Sequence, residues 1–466
     1  MKFQLGSLIL VLTSLFAPLA WTQSGSSGSS SGGSSDTTQN DSTDSSQPQP
    51  SSTGPKQVFT HPEQRPSLAL LDEVTAPSFI QLGLALGSSW DSDAGAFASR
   101  GFSQTLLTVG PSITLQQIRP SAAWDLAYEG GFMYAPNRTY YNSLTNTAAG
   151  NILWQLSPRW QLTAHDNYVY TADPFQAYLV DQGTPTYNQP NPTIYIPLAT
   201  LEQNAGNLNL TYLLDAHDSL TFTGSEGLSR YLHTTYALFN SFSFGGLAAY
   251  QHVLSARAVV GGAYSFDTID IGHGLSRSGI TMFQAYGSYQ LNPHMVVTGW
   301  IGPEITHIKD IIPILCTPYG CFKEIAHQSS FSVAFGGSLG WRGVRNSASM
   351  NFSKQVSDGG GLLGVVRLYM AGATYMRQLS PRWDLSLGGQ YGSNLALSKL
   401  YYNRHLDSLT GTVTLLRRFN QNWNANVQYM RWYERQANIF TAAVPKWGDN
   451  RLQLTLQYNW GHSLGR

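Results

Sequence analysis

The sequence predicts an all-β protein, a transmembrane antiparallel up-and-down β-barrel of about 18 strands, with 16 as the alternative. Three observations lead there. The segment Leu452-Gln453-Leu454-Thr455-Leu456-Gln457-Tyr458-Asn459-Trp460 alternates apolar and polar residues without a break, which gives a strand one greasy face and one polar face. The same alternation recurs along the chain after residue 78. Charged residues make up only 12%, about half the usual share. No stretch beyond the N-terminal segment has the run of apolar residues a membrane helix needs. A closed barrel is then the structure that satisfies every backbone group in lipid.

Residues 1–20 read as an export signal. Lys2 precedes the apolar run Leu8 to Phe16, and Ala17-Pro18-Leu19-Ala20 supplies small residues for cleavage. Residues 21–58 are rich in Ser, Gly, Thr and Pro and read as a disordered tether, because such composition buries too little apolar area to offset chain entropy. Residues 59–78 read as a short periplasmic or luminal segment, and 79–466 as the barrel. The span before the first strand is too short for a folded plug domain.

Clean alternation marks Trp124-Leu126-Tyr128-Gly130-Phe132, Phe331-Val333-Phe335-Gly337-Leu339-Trp341 and Trp423-Ala425-Val427-Tyr429. Strands are expected to begin near residues 79, 102, 122, 145, 160, 202, 219, 238, 256, 276, 295, 328, 346, 362, 383, 405, 423 and 449. Short turns join alternate pairs, among them Ser157-Pro158-Arg159, Asn292-Pro293-His294, Ser380-Pro381-Arg382 and Asn420-Gln421-Asn422. Longer connections, 173–200, 309–327 and 437–448, lie between them. Short turns on one rim and long loops on the other are the arrangement of outer-membrane barrels. Trp160, Trp383 and Trp423 each follow a short turn, where an aromatic girdle belongs. Asp166 and Glu226 fall on the lipid-facing parity, which requires a bulge, a rim position or a partner.

With these features in place, residues 79–466 resemble the broad class of Gram-negative outer-membrane barrels, porin-like in size. The export segment, the hairpin rhythm and the aromatic last strand ending at Trp460 carry the resemblance. It implies residence in the bacterial outer membrane, lipid as solvent, and handling by the barrel assembly machinery. The class usually ends its chain on an aromatic residue, whereas here Gly461-His462-Ser463-Leu464-Gly465-Arg466 follow.

Charge is the functional signal. Residues 1–311 hold 21 acidic and 11 basic residues, net −10, and residues 312–466 hold 6 and 16, net +10. Parity places Asp125, Glu129 and Asp267 toward the lumen in the acidic sector. The same argument places Arg367, Arg377, Arg418 and Arg451 toward it in the basic one. Opposed sectors of this kind set up a transverse field that orients dipolar solutes and penalises apolar ones. The expected function is an outer-membrane channel for passive diffusion of small hydrophilic solutes, in a monomer or a homo-oligomer. The alternatives are charges that pair across the lumen and close it, leaving a structural or surface-exposed barrel, or an export port for a polysaccharide.

Cys316 and Cys321 flank Thr317-Pro318-Tyr319-Gly320 on an expected external loop and are read as a disulfide. No cofactor, metal site, nucleic-acid partner or catalytic group is expected. Many Ser and His residues make chance pairs uninformative, and no Ser/His/acid trio stands out. Loop Thr184 to Pro197, with four prolines, is the expected lid or recognition surface.

Overall fold

The computed structural model describes residues 78–93, 103–136, 142–172, 191, 193–194, 199–232, 238–317, 320–361, 363–397, 405–437 and 446–463. The expected export segment and tether, and most of the 184–197 loop, lie outside the described residues. The first six strands are β1 (Phe79–Asp91), β2 (Gln104–Arg119), β3 (Ala122–Tyr134), β4 (Ser143–Gln155), β5 (Trp160–Thr171) and β6 (Thr200–Leu213). Then come β7 (Asp218–Leu232), β8 (Ser241–Ser255), β9 (Ala258–Ile271), β10 (Ser276–Asn292), β11 (Met295–Thr317) and β12 (Gly320–Arg342). The last six are β13 (Asn346–Gly359), β14 (Leu363–Ser380), β15 (Trp383–Ala396), β16 (His405–Arg418), β17 (Trp423–Ala437) and β18 (Lys446–Ser463).

Each strand pairs antiparallel with its sequence neighbours, and β1 pairs with β18 from Phe79↔Ser463 to Asp91↔Arg451, closing one 18-stranded sheet. The alternation explains the two faces. Leu82, Leu84, Leu86 and Trp90 of β1 and Leu452, Leu454 and Trp460 of β18 lie exposed on the outside, while Gln81, Ser89, Gln453 and Gln457 take the opposite parity. The outer wall carries large exposed aromatic and aliphatic side chains around the whole circumference. Water would not sustain that surface on a monomer, whereas hydrocarbon does.

One rim consists of tight turns whose first polar side chain satisfies the turn's own amides. Ser157 Oγ accepts from the Arg159 and Trp160 amides at 3.3 and 3.2 Å, and Ser380 Oγ repeats the first of these contacts with Arg382 at 3.3 Å. Asn420 Oδ1 accepts from the Asn422 and Trp423 amides at 2.9 and 2.8 Å. That chemistry accounts for the repeated Ser-Pro-Arg-Trp. Aromatic pairs sit on the same rim, Trp160 with Tyr212 at 4.5 Å and Trp423 with Tyr458 at 4.9 Å between ring centroids.

The expected connection 309–327 is corrected. β11 and β12 are 23 residues each and stay paired up to Thr317↔Gly320, taking Pro313 into an irregularity between Pro313 and Leu315. Proline is tolerated in a strand next to such a bulge, where the ladder is locally disrupted. Asp166 keeps its lipid-facing parity and has a partner there, Asn204 Nδ2, which donates to Asp166 Oδ1 at 3.0 Å.

Candidate functional site

The site starts where the wall stops being regular. β12 pairs with β13 only from Arg342↔Ser347 to Phe335↔Lys354, whereas β13 stays paired with β14 up to Gly359↔Leu363. Beyond Lys354 the β13–β14 hairpin therefore parts from β12 and leans into the barrel. Val356 is 0% and Asp358 6% exposed. Glu304 of β11, on the lumen side, replaces the lost strand partner. Its Oε2 accepts from the Val356 amide at 3.2 Å, and its Oε1 from Ser332 Oγ at 2.8 Å.

The hairpin tip crosses the mouth. Val356 and Val365 join Ile269, Ile271, Ile280, Ile308 and Leu397 in a buried apolar cluster, a contact worth about 1.5–3 kcal/mol for each side chain fully buried. The turn uses Gly360 and Gly361 at φ 56° and 80°. A Cβ there would also meet Ile194 at 2.8 Å and Tyr231 at 2.4 Å, so glycine answers both the left-handed backbone and the close approach. The Gly361 carbonyl accepts from the Phe239 amide at 3.0 Å. Asp358 accepts from Ser241 Oγ of β8 at 2.7 Å and from the Asn191 amide at 2.9 Å.

Asn191 completes the knot. Its Nδ2 donates to Asn394 Oδ1 of β15 at 2.6 Å and to the Asp358 carbonyl at 3.1 Å. Thr193 Oγ1 donates to Asn191 Oδ1 at 2.7 Å, and Ile194 packs on Val366 and Leu406. The described part of the 184–197 loop is thus inside the mouth. Spacing alone gave no sign of it, since neither Asn191 nor Asp358 belongs to a periodic pattern.

The lumen charges only partly match the sequence expectation. Register places Asp125 and Glu129 opposite Gln116 and Ser112, on the inward parity. Asp267, Arg418 and Arg451 are inward as well. Arg377 requires correction: it pairs with Asn346 and Leu385 on the parity of Tyr369 and Tyr391, which faces outward. Arg367 shares that outward parity, but the lean of the hairpin tucks it against the inner side of β12, where its Nη2 donates to Ser330 Oγ at 2.9 Å. The lumen face of β14 carries Met370, Gly372 and Met376, so polarity was a poor guide to direction in this strand.

Two of the expected arginines pair with acids along the wall. Arg451 faces Asp91 at 3.6 Å, both buried, and Arg418 pairs with Asp384, in each case on a nearby strand. Asp125 Oδ2 accepts from Asn151 Nδ2 at 2.8 Å, and Asn151 Oδ1 meets His165 Nδ1 at 2.6 Å. His165 is not among the site residues that the sequence points to. Glu304, Asp310, Glu434 and Asp449 also take the inward parity, while Lys354, Arg417, Arg431 and Arg435 take the outward one. The inward-facing charges are therefore mostly acidic, while these four bases face outward.

A Ser/His/acid trio does exist on the outer wall. Ser393 Oγ lies 2.7 Å and Asp407 Oδ1 3.0 Å from His405 Nε2. Both meet the same ring nitrogen, so the carboxylate does not orient the imidazole to take the serine proton. Among the described residues no group of three His, Cys, Asp or Glu is placed to hold a metal. The backbone register sets Cys316 directly opposite Cys321.

A closed sheet, a lipid-compatible outer wall, one rim of tight turns and a polar interior decide the class. This is a closed all-antiparallel β-barrel with the outer surface of a membrane protein. No family model matches the chain, and no curated protein matches it. Its fold is similar to Pseudomonas aeruginosa OccK2 (OpdF), at 8% identity and TM-score 0.41 over 83% of this chain and 98% of that one. Acinetobacter baumannii OccAB4 is similar at 8% identity and TM-score 0.42, over 83% and 98%. The ferric-catecholate import receptor Fiu of E. coli K12 is similar at 7% identity and TM-score 0.43, over 83% and 82%. The likeness is one of barrel architecture and carries no substrate or residue role to this chain.

Proposed function

We propose that the barrel is a channel for small polar solutes whose outer mouth is narrowed by the β13–β14 hairpin. The observation that carries this reading is the hairpin itself, bent off the wall and fastened across the mouth through Asp358. A barrel with a purely structural role has no need of a strand that gives up its ladder with β12 to enter the lumen. Carboxylates at Asp125, Glu129 and Asp267 favour cationic or dipolar solutes over anions. Permeation is passive in this reading and requires no catalytic group or cofactor.

A second reading keeps the barrel shut, and the buried Ile/Val cluster under the hairpin favours it. Single-channel recording of the refolded chain in a planar bilayer under a salt gradient separates the two. The channel reading expects stepwise conductance with a cation-selective reversal potential. It also expects larger steps once Val356 and Val365 are replaced by serine. Silence from both proteins, each shown to be folded, would leave the closed barrel.

A further inference from the structure

The lumen face of β3 to β6 carries a row of polar side chains whose hydrogen bonds stop in mid-wall. Asp125, Asn151, His165 and Asn207 are successive cross-strand partners on the inward parity. Asn151 Nδ2 donates to Asp125 Oδ2 at 2.8 Å, so Asn151 presents its Oδ1 to the imidazole of His165. The ring nitrogen that meets this acceptor, Nδ1 at 2.6 Å, carries the proton. A neutral ring fixed in that tautomer keeps its lone pair at Nε2.

A second chain of bonds arrives from the other side. Thr223 Oγ1 donates to Asn209 Oδ1 at 2.7 Å, and Asn209 Nδ2 donates to Asn207 Oδ1 at 3.2 Å. Asn207 is left with the two N–H donors of its Nδ2. The two chains end on one register pair, His165↔Asn207. Neither His165 Nε2 nor Asn207 Nδ2 has a hydrogen-bond partner among the described residues, and neither is a buried orphan. An acceptor and a donor of fixed identity thus stand side by side on the inner wall, on backbones about 5 Å apart.

The surroundings select what can use such a pair. The inward positions of β3 to β6 hold no lysine or arginine, so a carboxylate or phosphate meets no cation there. An ammonium can satisfy Nε2 but has nothing to offer the Asn207 donors. A hydroxyl both donates and accepts. Two neighbouring hydroxyls therefore close the pair, one donating to Nε2 and the next accepting from Asn207 Nδ2.

We propose that His165 and Asn207 form a recognition site for the vicinal diol of a neutral polyhydroxylated solute, the chemistry of a saccharide. The proposal deepens the channel reading and rests on it for the step it serves, since it names the solute class that the path takes.

The test is calorimetric titration of the refolded chain with maltotriose, in lauryldimethylamine oxide, a detergent with no sugar headgroup. Binding is expected, and His165→Leu and Asn207→Leu should each weaken it about tenfold, the effect of losing one well-placed hydrogen bond. His165→Gln returns an acceptor and should bind more tightly than His165→Leu. Asn351→Leu, on another part of the inner wall, should bind as the unaltered chain does. The heat-modifiable gel mobility of a folded barrel certifies each protein. Single-channel recording with maltotriose separates the site from the pore. Current interruptions that vanish in Asn207→Leu support both, and a silent barrel that still binds with this variant pattern keeps the site and removes the channel. No binding, equal binding by both leucine variants and the unaltered chain, or binding of N-acetylglycinamide as tight as that of maltotriose would overturn the proposal.

Discussion

The Asp358 carboxylate at the tip of β13 accepts a hydrogen bond from Ser241 Oγ of β8 at 2.7 Å, joining residues 117 positions apart across the barrel mouth. The bond fastens a hairpin whose base belongs to the wall and whose tip belongs to the lumen. Removing the carboxylate leaves Ser241 and the Asn191 amide without their acceptor. An unsatisfied buried donor costs about 1–3 kcal/mol, so Asp358→Ala should raise the population of undocked hairpin. The expected result is larger or longer-lived openings in single-channel records. Identical records would show that this bond does not hold the gate.

Arg377 faces outward, so Arg377→Glu should leave the reversal potential where it is. Asp125→Lys combined with Glu129→Lys should move it toward anion selectivity, because those two carboxylates sit on the lumen face. A response to Arg377→Glu equal to that of the double variant would contradict the register.

The Arg451–Asp91 pair is buried on both sides, at 4% and 5% side-chain exposure. Arg451→Met removes the ion-pair partner of the buried Asp91 and should cost about 3–5 kcal/mol, whereas adding Asp91→Asn should recover much of the loss. Urea unfolding of the barrel in lipid vesicles, followed by tryptophan fluorescence, measures both. A double variant no more stable than the single one would show that the two residues act separately.

Cys316 and Cys321 are register partners near the end of the long β11–β12 hairpin. A disulfide between them predicts no thiol titratable in the denatured, unreduced protein and two after reduction. Closing so short a loop stabilises by about 2 kcal/mol in the chain-entropy account. Cys316→Ser with Cys321→Ser should lower the unfolding free energy by about that amount at most.

Legibility followed how local the determining physics is. Strand count and most strand starts could be read because alternation is a property of consecutive residues. β5, β10, β11, β13, β15, β16 and β17 begin at the expected positions, 160, 276, 295, 346, 383, 405 and 423. β12 begins at Gly320 rather than near 328, since a hairpin running past the lipid is under no pressure to alternate apolar and polar residues. The direction of Arg377 was misread for a related reason. Met370 and Met376 face the lumen while the small Ala371 and Ala373 face outward, and only pairing with β13 reveals which set points out.

The amino-acid sequence by itself determined a closed membrane barrel of 18 strands with one rim of tight turns, because period-two burial and turn chemistry act over a few residues. The tertiary structure alone decided which charges meet, and that β13 parts from β12 so that the β13–β14 tip reaches into the lumen. Those outcomes rest on contacts such as Asn191 with Asn394, 203 positions apart. No local pattern encodes such a contact, since its stability comes from desolvating groups that only closure of the barrel brings together.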